Sequence, residues 1–522
     1  MDKKIWIALI LSMVVIFFYP QLIKWYYPQQ PAPVEKTRET AAPAMVETQP
    51  AVGTPTRPQP EKPVAEELTT VETPLYKAVF SNVGGAVKSL ELKKYHKGMD
   101  DPTMVNAAQK VAVQNSFRSQ FDLNGMIETP VFKPSSASLS LDEAATGELT
   151  YTGSLSNGLT IEKKFIFSAD AYFINTEIKA LNGTQTAVSV RADTVLSAPV
   201  SGKDDTSYHQ GPIVKSSDKL VRQDEDERTL SGSSKLRWLG LEDKYFLAAV
   251  IPVTEAQFSW VTEVPGAGSS RATLQFPVNL APGGSVRVAF NTFLGPKEYD
   301  TLLNQKAGLE EAIEFGWFDW MAKPFLVVLN FFNKYLGNYG LAIIVLTVII
   351  KVLFYPLTKK SLQSMRDMQK MQPQMAAVKE KYKNDKEKMN KELMELYKRH
   401  KINPVGGCLP MVLQIPVFIA LYEVLYVAIE LRHAPFFLWI TDLSAKDPYY
   451  ITPILMGATM FLQQKMTPTS VDPAQQKIMM LMPIVFTFMF LSFPAGLVLY
   501  WLVNNVLSIG QQYFIYKTPA KA

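Results

Sequence analysis

Residues 341–356 read LAIIVLTVIIKVLFYP, an aliphatic run that one cation, Lys351, interrupts. A helix that crosses a bilayer needs about 20 mostly apolar residues, so we predict a transmembrane helix over residues 338–357. A charge at the bilayer centre costs roughly 2.5–3.5 kcal/mol, and such residues usually face a bundle interior or a water-filled cavity. Lys351 precedes Lys359 by eight residues, which is about 12 Å at helical rise and exceeds the reach of its side chain. Thr347 lies one turn earlier on the same face.

Further apolar segments predict six transmembrane helices in all. They are residues 5–23, 406–428, 450–462, 478–493 and 496–516. Loop charge gives their orientation, because cytoplasmic loops carry an excess of Lys and Arg. Residues 358–403 hold 13 basic and 6 acidic residues, whereas residues 430–448 hold two basic and three acidic residues. The first loop is predicted to be cytoplasmic, which also places the N-terminus and the short tail of residues 517–522 inside.

The N-terminal part is predicted to be an anchor, a tether and a β-domain. Residues 1–27 hold an apolar run after two lysines with no A-x-A-like cleavage site, which favours a retained anchor over a cleaved export signal. Residues 28–73 are rich in Pro, Glu, Thr, Ala and Gln, a composition typical of disorder. Period-2 patterns and turn signals such as residues 156–158 then predict hairpins. Residues 74–300 are predicted to form one large all-β sandwich outside the cytoplasm.

Residues 301–337 are predicted to form an amphipathic helix. Apolar side chains recur there at helical spacing with glutamates on the opposite face. Trp317 and Trp320 are typical of the lipid headgroup region, which favours a helix that lies flat at the membrane interface. An amphipathic helix packed on the β-domain explains the same pattern, and the sequence does not separate the two interpretations.

Residues 358–403 are predicted to form a charged cytoplasmic helical hairpin with an apolar seam rich in methionine. Methionine adapts to partners of varied shape, so the seam is a candidate contact for hydrophobic segments of other chains. A packing seam between the two helices is the alternative, and the two interpretations are compatible. The candidate contact residues are Met365, Met368, Met371 and Met375.

Polar side chains on other predicted spans lie at a depth similar to that of Lys351. They are Gln414, Gln463, Gln464, Asn504, Ser508 and Gln511. Together they predict a hydrated concavity that opens to the cytoplasm. The alternative is that Lys351 reaches the interface alone while the amides bond neighbouring helices. Glu423 lies about 25 Å from the cytoplasmic face, too far from Lys351 for an ion pair, so we interpret Lys351 as an attractor for acidic or polar segments of another chain.

Composition disfavours several function classes. The net charge of +5 provides no basic surface for a nucleic acid. One cysteine and four scattered histidines give no metal-ligand spacing, so we expect no metal and no cofactor. An enzyme anchored by its β-domain needs a convergent acid and base, and His96 and His209 lie in no recognisable motif, so no enzymatic activity is expected. A polytopic secondary transporter with an accessory periplasmic domain is the alternative function, disfavoured because no half of the sequence repeats.

Several motifs follow one another between residues 310 and 516. They are YPLTK at 355–359, NPVGGCLP at 403–410, QIPVFIALY at 414–422, APF at 434–436, LWI at 438–440, DPYY at 447–450 and FPAGLVLYW at 493–501. In this order they resemble the YidC membrane protein insertases of the YidC/Oxa/Alb family. The long β-domain after a retained first span resembles the Gram-negative members.

The resemblance implies a five-helix insertase core, completed by four helices within residues 404–516, and a periplasmic supersandwich domain. It implies a protein that inserts, folds and helps assemble inner-membrane proteins, alone or with the Sec translocon. The partners are then nascent membrane proteins, the lipid bilayer, the Sec translocon and, weakly, the ribosome. A hydrophilic groove open to the cytoplasm is expected at Lys351, Thr347, Gln414, Trp439 and Asn504. A lipid-side slide for the passenger helix is expected at Val417, Phe418 and Trp501.

Three departures from the family pattern matter. Lys351 stands where members carry arginine, which keeps the charge but loses the guanidinium fork. Glu423 and Trp501 stand where tyrosines are expected. The tail after Tyr516 carries only Lys517 and Lys521, so a strong contribution of the tail to ribosome binding is not expected.

Overall fold

The computed structural model describes residues 66–96, 103–106, 116–199, 209–217, 219–224, 227–233, 235–254, 256–264, 269–400, 409–467 and 473–517. The predicted anchor, most of the predicted tether and the last five residues lie outside this set. The described chain is rich in β-strands up to Pro296 and helical from Tyr299 onward. The predicted order of a β-domain followed by helices is therefore confirmed.

The β-domain contains 20 strands within the described residues. They are β1 Leu68–Glu72, β2 Tyr76–Ser81, β3 Ala86–His96, β4 Met104–Asn106, β5 Arg118–Leu123, β6 Met126–Glu128, β7 Lys133–Pro134, β8 Ser138–Ser140, β9 Thr146–Ser154, β10 Leu159–Ser168, β11 Phe173–Asn182, β12 Val188–Pro199, β13 Gly211–Ser216, β14 Leu220–Arg222, β15 Thr229–Gly232, β16 Leu236–Glu242, β17 Phe246–Pro252, β18 Ser259–Glu263, β19 Ser269–Leu280 and β20 Ser285–Pro296.

These strands form three sheets. Their orders are β14-β13-β16-β17-β20-β11-β10-β9-β7, β15-β18-β19-β12-β5-β6 and β4-β3-β2-β1-β8. Phe80 on β2 packs on Phe165 of β10 with ring centroids 4.9 Å apart, so the five-stranded sheet covers one part of the nine-stranded sheet. Strand β19 of the six-stranded sheet contacts β16 and β13. The nine-stranded sheet is thus one layer of a sandwich, and the two smaller sheets pack on its inner face.

The hairpin β9–β10 shows how the sequence pattern builds this layer. Alternate residues of β10 are buried from Leu159 to Phe167, as expected for a strand with one face in the core. The turn before it contains Gly158 at φ +85°, a backbone conformation that glycine adopts without steric cost. The hairpin predicted at residues 156–158 is confirmed.

Lys163 is a charged residue in the middle of this apolar face. It is fully buried, and its ammonium donates to the carbonyl oxygens of Gly84, Gly85 and Phe117 at 3.2, 2.9 and 2.6 Å. Burial lowers the pKa of Lys163 to about 7. The three N–H donors of the ammonium thus have three carbonyl acceptors. These hydrogen bonds connect β10 to the turns that precede β3 and β5.

The β-domain begins earlier than the predicted boundary at residue 74. Strand β1 lies within the predicted tether and pairs antiparallel with β2. Thr69 and Val71 are buried on one face of β1. Two inward-facing residues in a short polar strand are too few to be recognised against the composition of the tether. The predicted start of the β-domain, at residue 74, is therefore six residues later than the start of β1.

The helix predicted over residues 301–337 is divided. A short helix, α1 Tyr299–Leu303, is followed by 3₁₀ turns at Leu309–Ala312 and Gly316–Phe318, and only then by α2 Asp319–Leu336. Gly308 and Gly316 have φ of +78° and +63°, which interrupt a regular helix. The prediction of one continuous helix is wrong, because residues 309–315 follow the surface of the β-domain instead.

Buried charges hold the segment 309–315 to the β-domain. Glu242 accepts hydrogen bonds from Arg222 at 2.8 Å and Lys297 at 2.6 Å, and His209 Nδ1 lies 2.9 Å from the same carboxylate. Burial alone would raise the pKa of Glu242, but Lys297, His209 and Arg222 outweigh it and hold that pKa at about 2. Arg222 and Lys297 also donate to the carbonyl oxygen of Ala312. We call Glu242, His209, Arg222 and Lys297 the clasp.

The remaining helices make up the second half of the chain. They are α3 Tyr339–Lys370, α4 Gln372–Lys381, α5 Lys386–Arg399, α6 Leu409–Val427, α7 Ile451–Met466, α8 Pro473–Phe490 and α9 Ala495–Lys517. Among the described helices, α3 alone is long and apolar enough to cross a membrane by length and composition, and Gln414–Val427 and Met479–Phe490 are shorter apolar stretches. The helical C-terminal region is confirmed, whereas the count of six spans is not.

Residues 367–400 form a compact unit of their own. Helices α4 and α5 pack on each other there as a hairpin. Asp385 begins α5 by accepting the backbone N–H of Lys388 at 3.0 Å, a usual N-terminal cap. A helical hairpin is therefore present within the predicted range, with its turn between Lys381 and Lys386.

The β-domain meets the helices at a buried carboxylate, that of Glu430. Its Oε1 accepts the backbone N–H of Tyr299 at 2.9 Å, and its Oε2 is buried with no partner among the described residues. Burial raises the pKa of Glu430 to about 7, and the nearby Glu298 and Asp300 add to the effect. The carboxyl therefore titrates near neutral pH and is mostly protonated only below it.

Glu430→Gln is expected to remove part of the pH dependence of stability. The folded-state pKa lies above the ordinary value of 4.5, so between pH 4.5 and about 7 the folded chain holds a proton that the unfolded chain has lost. Stability then falls as the pH rises through this window, by a few kcal/mol at most. Melting of the purified full chain in detergent at several pH values measures the slope. Glu143→Gln, at an exposed site, is the control, and an unchanged slope in Glu430→Gln contradicts the prediction.

Candidate functional site

Lys351 lies on α3 with its ammonium against α9. Its Nζ donates to Ser508 Oγ at 2.7 Å, and the Ser508 hydroxyl donates to the carbonyl oxygen of Asn504 at 2.7 Å. Ser508 is buried. Lys351 and Ser508 come eight and nine residues before Lys359 and Lys517, so each lies roughly 12–14 Å along its helix from the next lysine. A half-buried cation among helices thus has a polar partner on another helix.

Thr347 and Gln414 are also in the helical bundle. Thr347 is buried, and its hydroxyl donates to the carbonyl oxygen of Ile343 at 2.6 Å on its own helix. The Gln414 amide hydrogen-bonds to the hydroxyl of Tyr500, which links α6 to α9. Sequence analysis did not identify Tyr500 as this partner, because the two residues are distant in the chain and only the folded bundle brings them together.

The polar residues of α9 lie on different faces. Asn504 contributes its backbone carbonyl to Ser508, whereas the next residue, Asn505, is buried and donates to Thr459 Oγ1 of α7 at 3.3 Å. Gln512 donates to Thr467 Oγ1 at 3.2 Å. Asn505 and Gln512 are seven residues apart, a helical spacing that would have revealed this second face.

Trp439 is at the other end of the bundle. It lies beside Asp447, which accepts the backbone N–H of Thr452 at 2.8 Å near the start of α7. The preceding loop is fixed to the start of α3, where Asn338 donates to the carbonyl oxygen of Phe436 at 3.0 Å. Lys351 is twelve residues into α3, about 18 Å farther along its axis. The structure therefore does not bring Trp439 to Lys351.

Glu423 also lies far from Lys351. Its carboxylate approaches Gly316, in the connection between the β-domain and α2. Lys351 instead bonds Ser508. The predicted absence of an ion pair between Lys351 and Glu423 agrees with these positions.

Aromatic rings close the surface between α6, α8 and α9. Phe418 and Trp501 have centroids 4.8 Å apart in an edge-to-face contact, and Phe490 lies 5.1 Å from Trp501. Phe486 stacks on the same indole at 6.1 Å. We call these four residues the ring cluster. Val417, the residue before Phe418, is also predicted for the slide, and its side chain is buried.

Two of the four candidate methionines are buried. Met371 and Met375 are each 5% exposed, and the Tyr397 hydroxyl of α5 lies 3.8 Å from Met375 Sδ. Met365 and Met368 are half-buried. The packing interpretation of the seam therefore describes Met375 well, whereas Met368 retains accessible surface.

Comparisons with known proteins cover nearly the whole chain. Residues 331–522 match the family described as 60Kd inner membrane protein, and residues 68–328 match the YidC periplasmic domain. The membrane protein insertase YidC of Geobacter sulfurreducens is 44% identical over 533 residues, covering 100% of this chain and 99% of that protein. The protein of the same name from Syntrophus aciditrophicus is 43% identical over 543 residues, covering 99% and 100%.

A solved structure described as an active YidC insertase with its first transmembrane domain resolved is 19% identical, with a TM-score of 0.39, and covers 87% of this chain and 95% of that chain. That likeness is too weak to add to the sequence relatives. The relatives match from end to end at more than two-fifths identity, across both the β-domain and the helices. The chain therefore belongs to the YidC family of membrane protein insertases.

Proposed function

We propose that this chain inserts, folds and helps assemble inner-membrane proteins, alone or with a Sec translocon. The observation that carries the proposal is the Lys351 ammonium, which lies among apolar helices and bonds Ser508. The relatives of full length are named membrane protein insertases. Moving a helix from water into lipid makes and breaks no covalent bond, so the proposed mechanism uses no cofactor and no catalytic residue.

The proposed topology has six spans with both termini in the cytoplasm. The spans are residues 1–27, the part of α3 that falls within residues 338–357, and α6 to α9. Residues 358–403, which include the last part of α3, are cytoplasmic. Loop charge supports this orientation. The chain is an inner-membrane protein with a periplasmic domain, as both family descriptions state.

The groove lowers the barrier for polar parts of a passenger. The hydrocarbon core is about 30 Å thick, and Lys351 lies about 12 Å inside its cytoplasmic boundary. A polar or acidic segment that reaches Lys351 in a hydrated groove has roughly 18 Å of apolar thickness left to cross. Gln511 Nε2 and Tyr516 OH, on the C-terminal half of α9, are buried without a hydrogen-bond partner among the described residues, so further polar groups lie at this end of α9.

The electrostatic part of the mechanism is attraction by Lys351. A carboxylate about 4 Å from an ammonium gains roughly 1 kcal/mol in water and about 4 kcal/mol at an effective dielectric constant of 20. The groove therefore favours acidic external segments over neutral ones. Thr347, Gln414 and Asn504 are proposed as further polar groups of this groove, whereas the position of Trp439 does not support a contact with Lys351.

The apolar part of the mechanism is exit past the ring cluster. The passenger helix is proposed to leave the groove beside Val417, Phe418 and Trp501. These residues lie on α6 and α9, and Phe418 also faces Phe490 of α8 with centroids 6.4 Å apart. Exit requires these rings to separate, so the ring cluster is closed until a passenger arrives.

The cytoplasmic hairpin is proposed to contact passengers through Met365 and Met368, since Met371 and Met375 are buried. A photo-crosslinking amino acid in place of Met368 is expected to capture nascent membrane proteins. The same amino acid in place of Met375 is expected to capture α5 near Tyr397. Mass spectrometry of the adducts separates the two results, and equal capture of nascent chains at both positions contradicts the prediction.

Liposomes that contain only this chain test the proposed function. A small one- or two-span protein synthesised outside them is expected to become protease-protected in its spans, whereas empty liposomes give no protection. Uptake of a small solute without insertion would favour a transporter and overturn the proposal. A Sec translocon or ribosomes added to the same liposomes test these two proposed partners separately.

A further inference from the structure

We infer that Ser508 is a positioning residue for the groove cation: it holds the Lys351 ammonium against α9 and leaves its other N–H groups for a passenger's carboxylate. This inference rests on the proposed function, because it deepens the role of Lys351 in that same groove. It concerns a contact between two helices that are separated by 157 residues in the chain.

The direction of the hydrogen bonds carries the inference. The Ser508 hydroxyl has one hydrogen, which it donates to the carbonyl oxygen of Asn504, one turn earlier, at 2.7 Å. The oxygen lone pairs of Ser508 therefore remain for a donor, and Lys351 Nζ lies 2.7 Å away. A hydroxyl fixed in this way accepts from the ammonium and cannot compete with it as a donor.

As a consequence, only part of the hydrogen-bonding capacity of the Lys351 ammonium is used within the described residues. An ammonium carries three N–H donors, and Ser508 is its hydrogen-bond partner within the described residues. The two other donors remain for water or a passenger. A lysine side chain has a flexible four-carbon stem, so without Ser508 the charge would spread over many positions in the groove.

A purely structural role for Ser508 is the competing explanation. Serine hydroxyls often bond the carbonyl of the preceding helical turn, and that bond alone would place Ser508 where it is. The two roles differ in one respect: only the positioning role fixes the place at which a passenger's carboxylate meets Lys351.

Ser508→Thr and Ser508→Val form a matched pair for the test. Both add the same bulk at a buried site, but only threonine keeps the hydroxyl. Each full-length variant is placed in liposomes with two clients that differ only in an acidic or a neutral external segment. The loss of a hydrogen bond to a charged group predicts that the acidic-to-neutral insertion ratio is about tenfold lower, or more, for Ser508→Val than for Ser508→Thr. Ser492→Val, whose exposed hydroxyl bonds Met489 in the turn before α9, is expected to match the wild type.

A second readout is the position of contact. A carbodiimide joins the Lys351 amine to a client carboxylate only where the two touch, so a series of clients with one Asp at successive positions maps the contact. The wild type and Ser508→Thr are expected to give adducts at one or two adjacent positions, and Ser508→Val at a broader set. Equal ratios and equal maps for the Thr and Val variants overturn the inference. Failure of the wild type to insert either client instead overturns the proposed function.

Discussion

Lys351→Met is expected to reduce insertion of clients with acidic external segments by at least about tenfold, which corresponds to about 1.4 kcal/mol. The estimate lies between the roughly 1 and 4 kcal/mol that a charge pair contributes in water and in a partly hydrated protein site. Methionine keeps the unbranched shape and the packing of the lysine stem, so the full chain is expected to fold. Protease protection of client spans in liposomes gives the rate.

Two comparisons make the Lys351 result specific. Lys351→Arg keeps the charge and is expected to be mild, although the longer guanidinium changes the contact with Ser508. In Lys351→Met, the insertion rate of a client with a neutral external segment is expected to fall less than that of the acidic client. An acidic client that inserts at the wild-type rate in Lys351→Met would exclude the electrostatic role of this side chain.

Glu242→Gln is expected to lower the free energy of unfolding by about 3–5 kcal/mol. Removing this charge leaves Lys297 buried without the carboxylate that neutralises it, and it leaves the half-buried Arg222 with the more distant carboxylate of Glu314 at 3.6 Å. Their bonds to the carbonyl of Ala312 weaken as well, so the segment 309–315 should detach from the β-domain. At about 2–4 °C per kcal/mol, the melting temperature of the full chain should fall by roughly 10 °C.

Glu177→Gln is a matched control on the same sheet. Glu177 pairs with Arg287, whose side chain is 65% exposed, and exposed ion pairs contribute at most about 1 kcal/mol. Limited proteolysis supplies a second measurement, because cleavage near residues 304–316 should accelerate in Glu242→Gln alone. Equal melting temperatures for Glu242→Gln and Glu177→Gln would show that the clasp does not contribute the expected stabilisation of about 3–5 kcal/mol.

The sequence predicted those parts of the molecule whose patterns are local. Alternation along β10 and the glycine of its turn lie within a dozen residues, and the charge within α3 is visible in one segment. The partner of that charge is not local. Ser508 appeared among several polar candidates, but only the packing of α9 on the groove identifies it as the residue that touches Lys351.

Two predictions failed or weakened for physical reasons of the same kind. Residues 309–320 have helical periodicity, yet the clasp and two glycines with positive φ keep residues 309–315 on the β-domain. The motif that contains Trp439 comes after the motif that contains Gln414 in the sequence, but in the structure Trp439 lies beside Asp447 at the opposite end of the bundle. Periodicity and motif order do not include competition from a neighbouring domain.

If passengers leave the groove past the ring cluster as proposed, the contacts within it bear on which passengers can leave. Separation of Phe418 from Trp501 removes an edge-to-face contact, and each such aromatic pair contributes about 0.5–1.5 kcal/mol. An apolar helix that takes their place restores equivalent contacts, whereas a polar segment at the same level cannot. On the proposed exit route, the cost of separating the rings would therefore select passengers with apolar side chains over passengers with polar ones.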